Sequence, residues 1–175
     1  MQHPNEVKET IDLDFLAAQS EKFDKATGEI ADKMLNQKMT PKESMGLSSA
    51  YLENIYSQAF SLYNTGKYIE AAHLFRILIM YNPMEPKYMM GLAACFHLLK
   101  EWDSAIQMYT LCSALDPNTP IPHYHTSDCF IQMNDDLSAM LCLELAIEKA
   151  EGKAEFSKIK ERALLSLENL RKHKS

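Results

Sequence analysis

The sequence predicts an all-α fold, a solenoid of three helix-turn-helix units with an N-terminal helical segment and a C-terminal capping helix. The first observation is that alanines recur every 34 residues, at Ala71, Ala105 and Ala139. The second is that Pro83 and Pro117 have the same spacing. The third is composition, since a chain with 46% hydrophobic residues and only 5 glycines suits a helical protein.

A period of 34 residues, with a small residue at a fixed place and a proline near the end of each unit, is typical of the tetratricopeptide repeat. The predicted units are residues 52–85, 86–119 and 120–153. Large side chains at position 24 of each unit, namely Phe75, Tyr109 and Leu143, are expected to fill the space between helices. Small residues at positions 8 and 20 are expected where two helices cross closely.

The repeats divide the chain into three predicted parts: residues 1–47, residues 48–153 and residues 154–175. In the first part, Leu16, Phe23 and Ile30 are spaced by seven, with Met34 close to the same stripe. This stripe can cap the first repeat or pair with a second subunit, and the two roles are compatible. Residues 38–46 are expected to form a loop.

The last part, Ala154–His173, is predicted to be an amphipathic helix that covers the exposed face of the third unit. Its expected apolar side consists of Phe156, Ile159, Ala163, Leu164, Leu167 and Leu170.

Composition excludes several classes of protein. A net charge of −6 argues against nucleic acid as the main partner, because phosphate binding needs a basic surface. No apolar run approaches the roughly 20 residues of a membrane-spanning helix, so no membrane insertion is expected. No secretory signal is visible, and the four cysteines form no C-x-x-C pair. We therefore expect a cytoplasmic protein whose thiols are reduced and buried.

In this repeat the first helix of each unit lines a concave surface, through positions 2, 5, 9, 12 and 13. Unit one presents Glu53, Tyr56, Phe60, Tyr63 and Asn64; unit two presents Lys87, Met90, Ala94, His97 and Leu98; unit three presents Ile121, Tyr124, Asp128, Ile131 and Gln132. Such an apolar and aromatic groove suits an extended peptide whose side chains enter pockets. The alternative is that some of these aromatic residues are simply core.

The same positions lack the Lys, Arg and Asn residues that grip a terminal carboxylate in other repeats of this kind. Tyr56, Phe60, Ile121 and His125 stand in their places. The expected ligand is therefore an apolar internal segment.

No catalytic constellation appears at a useful spacing, so no enzyme and no cofactor are predicted. The sharpest candidate for a metal site is His123, His125 and Cys129, which lack an evident fourth ligand. No metal is predicted there.

Several stretches carry a more specific likeness. They are Ile55 to Phe60, Tyr63, Gly66 to Tyr68, Ala71, Phe75, Gly91 to Cys95, Trp102 to Ile106, and Cys129 to Phe156. This pattern resembles the class II type III secretion chaperones, the bacterial tetratricopeptide-repeat chaperones of pore-forming translocator proteins.

The resemblance implies that the groove holds a translocator segment of the type Pro-x-Leu-x-x-Pro and keeps this hydrophobic cargo soluble and competent for export. The matching residues are Tyr56, Phe60, Tyr63 and Tyr68, while Met90 and His97 depart from the residues that the motif leads us to expect. Tyr124 and Ile131 complete the predicted peptide-binding set.

The family also implies a homodimer formed through the N-terminal helix, here through Leu16, Phe23, Ile30 and Met34. The alternative function is a general tetratricopeptide adaptor that docks other proteins, with a possible regulatory role.

Overall fold

The structure is a computed structural model that describes Lys25 and residues 41–173. The chain divides between Gly46 and Leu47 into two units, which are taken separately. The predicted N-terminal stripe of Leu16, Phe23, Ile30 and Met34 lies outside the described residues.

The prediction of a loop at residues 38–46 is wrong in part, because a single helical turn, α1 (Pro41–Ser44), lies within this range. Pro41 suits the first position of a helix, where a missing amide costs nothing. The Ser44 hydroxyl donates to the Pro41 carbonyl over 2.9 Å, and the Met45 amide donates to the same carbonyl over 3.1 Å. Gly46, at φ 67°, then ends the turn in a conformation that favours glycine.

Seven helices and one 3₁₀ turn make up the described part of the second unit. They are α2 (Ser49–Asn64), α3 (Tyr68–Tyr81), α4 (Pro86–Leu98), α5 (Trp102–Leu115), α6 (Ile121–Gln132), α7 (Asp136–Ala150), the 3₁₀ turn Ala154–Phe156 and α8 (Ser157–His173). Each helix packs chiefly against the one before it and the one after it. This order of packing is that of a solenoid, so the predicted all-α repeat fold is confirmed.

The repeat positions account for the core. The small residues at positions 8 and 20 are all at most 1% exposed; they are Ala59, Ala93, Ser127, Ala71, Ala105 and Ala139. Phe75, Tyr109 and Leu143 at position 24 are likewise buried, as predicted. A small side chain lets two helix backbones approach, and the large one fills the gap beside that crossing.

The three turns inside the repeats share one geometry. The second residue after the end of each first helix has a positive φ: Gly66 at 80°, Lys100 at 62° and Asn134 at 60°. In each unit its amide and the next amide donate back to carbonyls of the last helical turn, which is the Schellman motif. Residues 34 apart therefore turn the chain in the same direction, although only unit one has glycine there.

The C-terminal helix differs from its expected form at both its start and its apolar side. Residues 154–156 form a 3₁₀ turn, and the α-helix begins only at Ser157. Ala163 and Leu167 are buried in a cluster with Leu143 and Ala146 of α7, so this helix covers the third unit as predicted. The prediction that Leu164 belongs to the apolar side is wrong. Leu164 follows Ala163 directly, so the helix turns its side chain towards solvent, and it is 48% exposed.

All four cysteines are free thiols. Cys95, Cys112 and Cys129 are buried as expected, but Cys142 is only half-buried. Within the described residues, no helix combines the length and apolarity needed to cross a membrane.

Candidate functional site

The first pocket of the candidate site lies where the first helices of units one and two meet. It has a volume of about 180 Å³ and is lined by Tyr56, Phe60, Tyr63, Phe75, Lys87, Met90, Gly91 and Ala94. Seven of these residues come from α2 and α4, whose 3.6-residue period places positions 5, 9 and 12 on one face, and the eighth, Phe75, comes from α3. The pocket is therefore built by the repeat itself.

Aromatic rings form one wall of this pocket. The Tyr56 ring lies 6.0 Å from that of Phe75, edge to face, and 5.8 Å from that of Tyr88. Phe60 stacks on Tyr56 at 6.4 Å and remains 50% exposed. Tyr56 is thus anchored to the core, whereas Phe60 offers an open aromatic face to a ligand.

One cation lies at the edge of the first pocket. Lys87 pairs with Glu53, the residue 34 positions before it, and its ammonium group lies 4.7 Å from the centre of the Tyr56 ring. The hydrogen bond from Lys87 to Glu53 raises the pKa of Lys87. The lysine is therefore already paired within its own repeat stack.

A second pocket, of about 360 Å³, continues from the first. The two share Tyr63, Met90 and Ala94, and the second is completed by His97, Leu98, Tyr109, Ile121, His125 and Asp128. These nine residues come from the first helices of all three units and, through Tyr109, from α5. We call the two pockets together the groove.

The floor of the second pocket is a packed polar cluster. The Tyr109 hydroxyl lies 3.4 Å from His97 Nδ1, and the Cys129 Sγ lies 3.5 Å from the same nitrogen. The His125 ring stacks on Tyr109 at 5.5 Å and meets His97 edge to face at 6.2 Å. These contacts fix both imidazoles in place beneath the pocket.

Burial keeps this cluster uncharged. Desolvation lowers the pKa of His97 and of His125, and the Asp128 carboxylate opposes that shift only in part. Desolvation likewise raises the pKa of Tyr109 and takes that of the Cys129 thiol to about 12. Near neutral pH the histidines, the phenol and the thiol are therefore all neutral.

The structure brings together five of the eight predicted peptide-binding residues, namely Tyr56, Phe60, Tyr63, Met90 and His97. Tyr68 lines neither pocket but supports Tyr63, whose ring it meets edge to face at 5.6 Å. Tyr124 packs against the cluster formed by α7 and α8, and Ile131 is half-buried outside both pockets. Whether any of these residues binds a peptide stays a prediction.

Gly91 and His125 line the groove but are absent from the sequence-based set. Both stand at position 6 of their units, where unit one has Ser57. Their shared register is the signal that could have identified them, because position 6 follows the groove position 5 on the same helix.

The candidate metal residues do not form a cluster around one point. The pKa of His123 is lowered by burial and then by Lys149 of α7, whereas His125 faces His97 and Tyr109. In the part of the chain that the structure describes, no three His, Cys, Asp or Glu side chains are grouped so as to hold a metal ion.

Comparison with known proteins identifies the repeat and the family. The tetratricopeptide repeat model matches residues 52–83 and 86–118. The low calcium response locus protein H of Yersinia pestis is 31% identical over 164 residues, which cover 94% of this chain and 91% of that protein. The chaperone protein SicA of Salmonella dublin is 32% identical over 132 residues, covering 75% and 78% respectively.

Solved structures agree with these sequence relatives. The type III secretion chaperone SycD of Yersinia enterocolitica, in complex with a peptide of the translocator YopD, is 31% identical, with a TM-score of 0.71 and coverage of 73% of this chain and 98% of that one. An alternative dimer of SycD gives the same identity and TM-score, covering 73% and 97%. This chain therefore belongs to the class II type III secretion chaperones, the tetratricopeptide-repeat chaperones of translocator proteins.

Proposed function

We propose that this chain is a non-catalytic chaperone of the bacterial cytoplasm that binds an extended Pro-x-Leu-x-x-Pro-type segment of hydrophobic translocator proteins. The observation that carries the proposal is the groove, two contiguous pockets with apolar and aromatic walls and the half-exposed Phe60 ring at their edge. The complex of SycD with a YopD peptide supports it, because that chaperone shares the fold and 31% of the sequence.

The physical role follows from the cargo. A translocator carries long apolar segments, which aggregate if they are exposed in water. A groove that holds one extended segment keeps the protein soluble and unfolded enough for export. Prolines stiffen such a segment before it binds, which reduces the conformational entropy lost in the complex.

Within the groove we assign the leucine of the motif to the first pocket. Tyr56, Phe60 and Met90 offer it apolar walls, and a volume of about 180 Å³ accommodates one aliphatic side chain and part of the adjacent backbone. The Tyr63 hydroxyl supplies a donor for a peptide carbonyl, because burial raises the pKa of Tyr63 and keeps the phenol protonated.

We also propose a homodimer formed by the N-terminal part of the chain, through Leu16, Phe23, Ile30 and Met34. An apolar stripe with a spacing of seven residues must be buried somewhere, and a second copy of the same segment offers a matching surface. The alternative dimer of SycD supports an assembly of this kind. Sedimentation equilibrium of Phe23→Glu should show monomer, with Lys25→Glu as the control that remains dimeric.

The direct test of the function is fluorescence anisotropy. A labelled peptide with Pro-x-Leu-x-x-Pro is titrated with the protein, beside a peptide with alanine at all three fixed positions. Saturable binding of the first peptide and at least tenfold weaker binding of the second are expected. If the two peptides bind equally, or neither binds, the translocator-segment assignment is wrong and a general adaptor function becomes the better account.

A further inference from the structure

A single carboxylate stands in the second pocket of the groove, among apolar and neutral polar side chains. Asp128 lies on α6 and is half-buried. It occupies position 9 of unit three, where units one and two have Phe60 and Ala94. The groove thus changes from an aromatic side chain to a negative charge along a single row of equivalent positions.

The Asp128 carboxylate has no cation or hydrogen-bond donor within bonding distance among the residues that the structure describes. The titratable groups that interact with this carboxylate are neutral near pH 7, because burial lowers the pKa of the two imidazoles and raises the pKa of the phenols and the thiol; they are His97, His125, Tyr109, Tyr124 and Cys129. Lys87, the cation that lines the first pocket, is already paired with Glu53. No lysine or arginine lines the second pocket, so Asp128 has no counter-ion among the residues that form it.

A peptide laid over this carboxylate would remove water from it, and a desolvated charge without a partner is costly. A ligand that brings a cation replaces the lost water with an ion pair. Met90, Leu98 and Ile121 line the same pocket and offer apolar surface to an aliphatic stem. Lysine and arginine combine such a stem with a terminal charge.

We propose that the second pocket selects a lysine or arginine of the bound translocator segment, whose charged end pairs with Asp128 while its stem packs on Leu98 and Ile121. This proposal rests on the proposed function. Packed helices lie about 10 Å apart, and an extended chain spans about 3.3 Å per residue. The basic residue is therefore about three residues from the leucine held in the first pocket.

The test uses a series of labelled motif peptides, each with one lysine at a different position on either side of the motif. Each lysine peptide is compared with a peptide that has norleucine, an uncharged side chain with a stem of equal length, at the same position. Binding is measured by anisotropy with the unmodified protein, with Asp128→Asn and with Asp103→Asn. Asp103 is an exposed carboxylate on α5 that lines neither pocket, so its variant matches the change in charge.

We expect one position at which lysine binds about fivefold more tightly than norleucine, in accord with a partly exposed ion pair. Asp128→Asn should abolish this preference, and Asp103→Asn should retain it. The absence of a preferred position, or an equal preference in Asp128→Asn, would overturn the assignment of Asp128 while the motif still binds. If the parent motif does not bind at all, the proposed function fails and this inference fails with it.

Discussion

Gly91 lies directly against the ring of Phe75, so that a Cβ at residue 91 would be 2.3 Å from Cε1 and 2.4 Å from Cζ. Phe75 is 1% exposed and meets Tyr56 edge to face, so the ring could move away from residue 91 only by displacing Tyr56 or entering the first pocket. The first pocket therefore depends on a missing methyl group in α4. Glycine, usually unfavourable inside a helix, is required here by the close approach of two helices.

Gly91→Ala should lower the free energy of unfolding by about 1–3 kcal/mol, because overpacking outweighs the gain in helix propensity of about 1 kcal/mol. Urea denaturation followed by circular dichroism measures the change. In a Phe75→Leu background the smaller side chain relieves the clash, so the same substitution should cost less. A Gly91→Ala protein that is as stable as the parent would show that the ring can yield.

Phe60→Ala should separate binding from folding. The ring is 50% exposed, so its removal should change the free energy of unfolding by no more than about 0.5 kcal/mol. A peptide that covers the Phe60 ring in the parent loses this apolar contact in the variant. We therefore expect the affinity for the motif peptide to fall at least tenfold, equivalent to about 1.4 kcal/mol.

Tyr51→Ala is the matched control for Phe60→Ala. Tyr51 lies on the same helix and is 52% exposed, but it lines neither pocket, so its variant should bind as the parent does. Tyr56 is less suitable as a test, because it packs on Phe75 and Tyr88 and its loss should reduce stability as well. Equal weakening by Phe60→Ala and Tyr51→Ala would place the peptide elsewhere.

The sequence predicts the repeat core well because one local rule governs it. Ala71, Ala105 and Ala139 are small since helices cross at the same place in each unit, and a fixed period reveals this without any tertiary information. The groove follows from the same register in units one and two. In unit three the register fails for Tyr124, because α8 packs beside it and draws the ring into another cluster.

Two further features depend on tertiary contacts as well as on periodicity, because the register places His125 beside the groove without fixing the orientation of its ring. His125 enters the groove because the ring stacks on Tyr109, which belongs to the second helix of the preceding unit. Leu164 faces solvent because α8 buries only a narrow stripe, and the contact surface of α7 sets its width. Side-chain neighbours across units are the part of the site that a single sequence leaves open.

Lys100→Gly should stabilise the protein. Lys100 has a φ of 62° in the turn between α4 and α5, a conformation that costs an L-residue about 1–2 kcal/mol. Part of this gain is lost because glycine is more flexible in the unfolded chain, which leaves about 0.5–1 kcal/mol. The urea midpoint should therefore rise.

Lys67→Gly is the control for this substitution, because Lys67 is also exposed and has an ordinary φ of −87°. It removes the same charge and adds the same flexibility without relieving any strain, so it should not stabilise the protein. A gain of equal size in both variants would show that the loss of charge is responsible.

Acid should destabilise the fold through three half-buried histidines. Burial lowers the pKa of His97, His123 and His125 below the unfolded value of about 6.5. The unfolded chain then binds more protons than the folded one below pH 6.5, so this contribution to stability is complete above about pH 7 and is lost as the pH falls from 6.5 through the lower pKa values of the folded chain. The urea midpoint should be lower at pH 5.5 than at pH 7.5.

His125→Gln should make this decline smaller, by at most about 1 kcal/mol over the same interval. The effect is limited because the pKa of His125, which burial and the neighbouring His97 lower, is raised in part by the Asp128 carboxylate. His73→Gln, at an exposed position on α3 that lines neither pocket, serves as the control for the substitution itself. If His125→Gln and the parent decline equally between pH 7.5 and 5.5, the imidazole beneath the second pocket takes up its proton as readily in the folded chain as in the unfolded one.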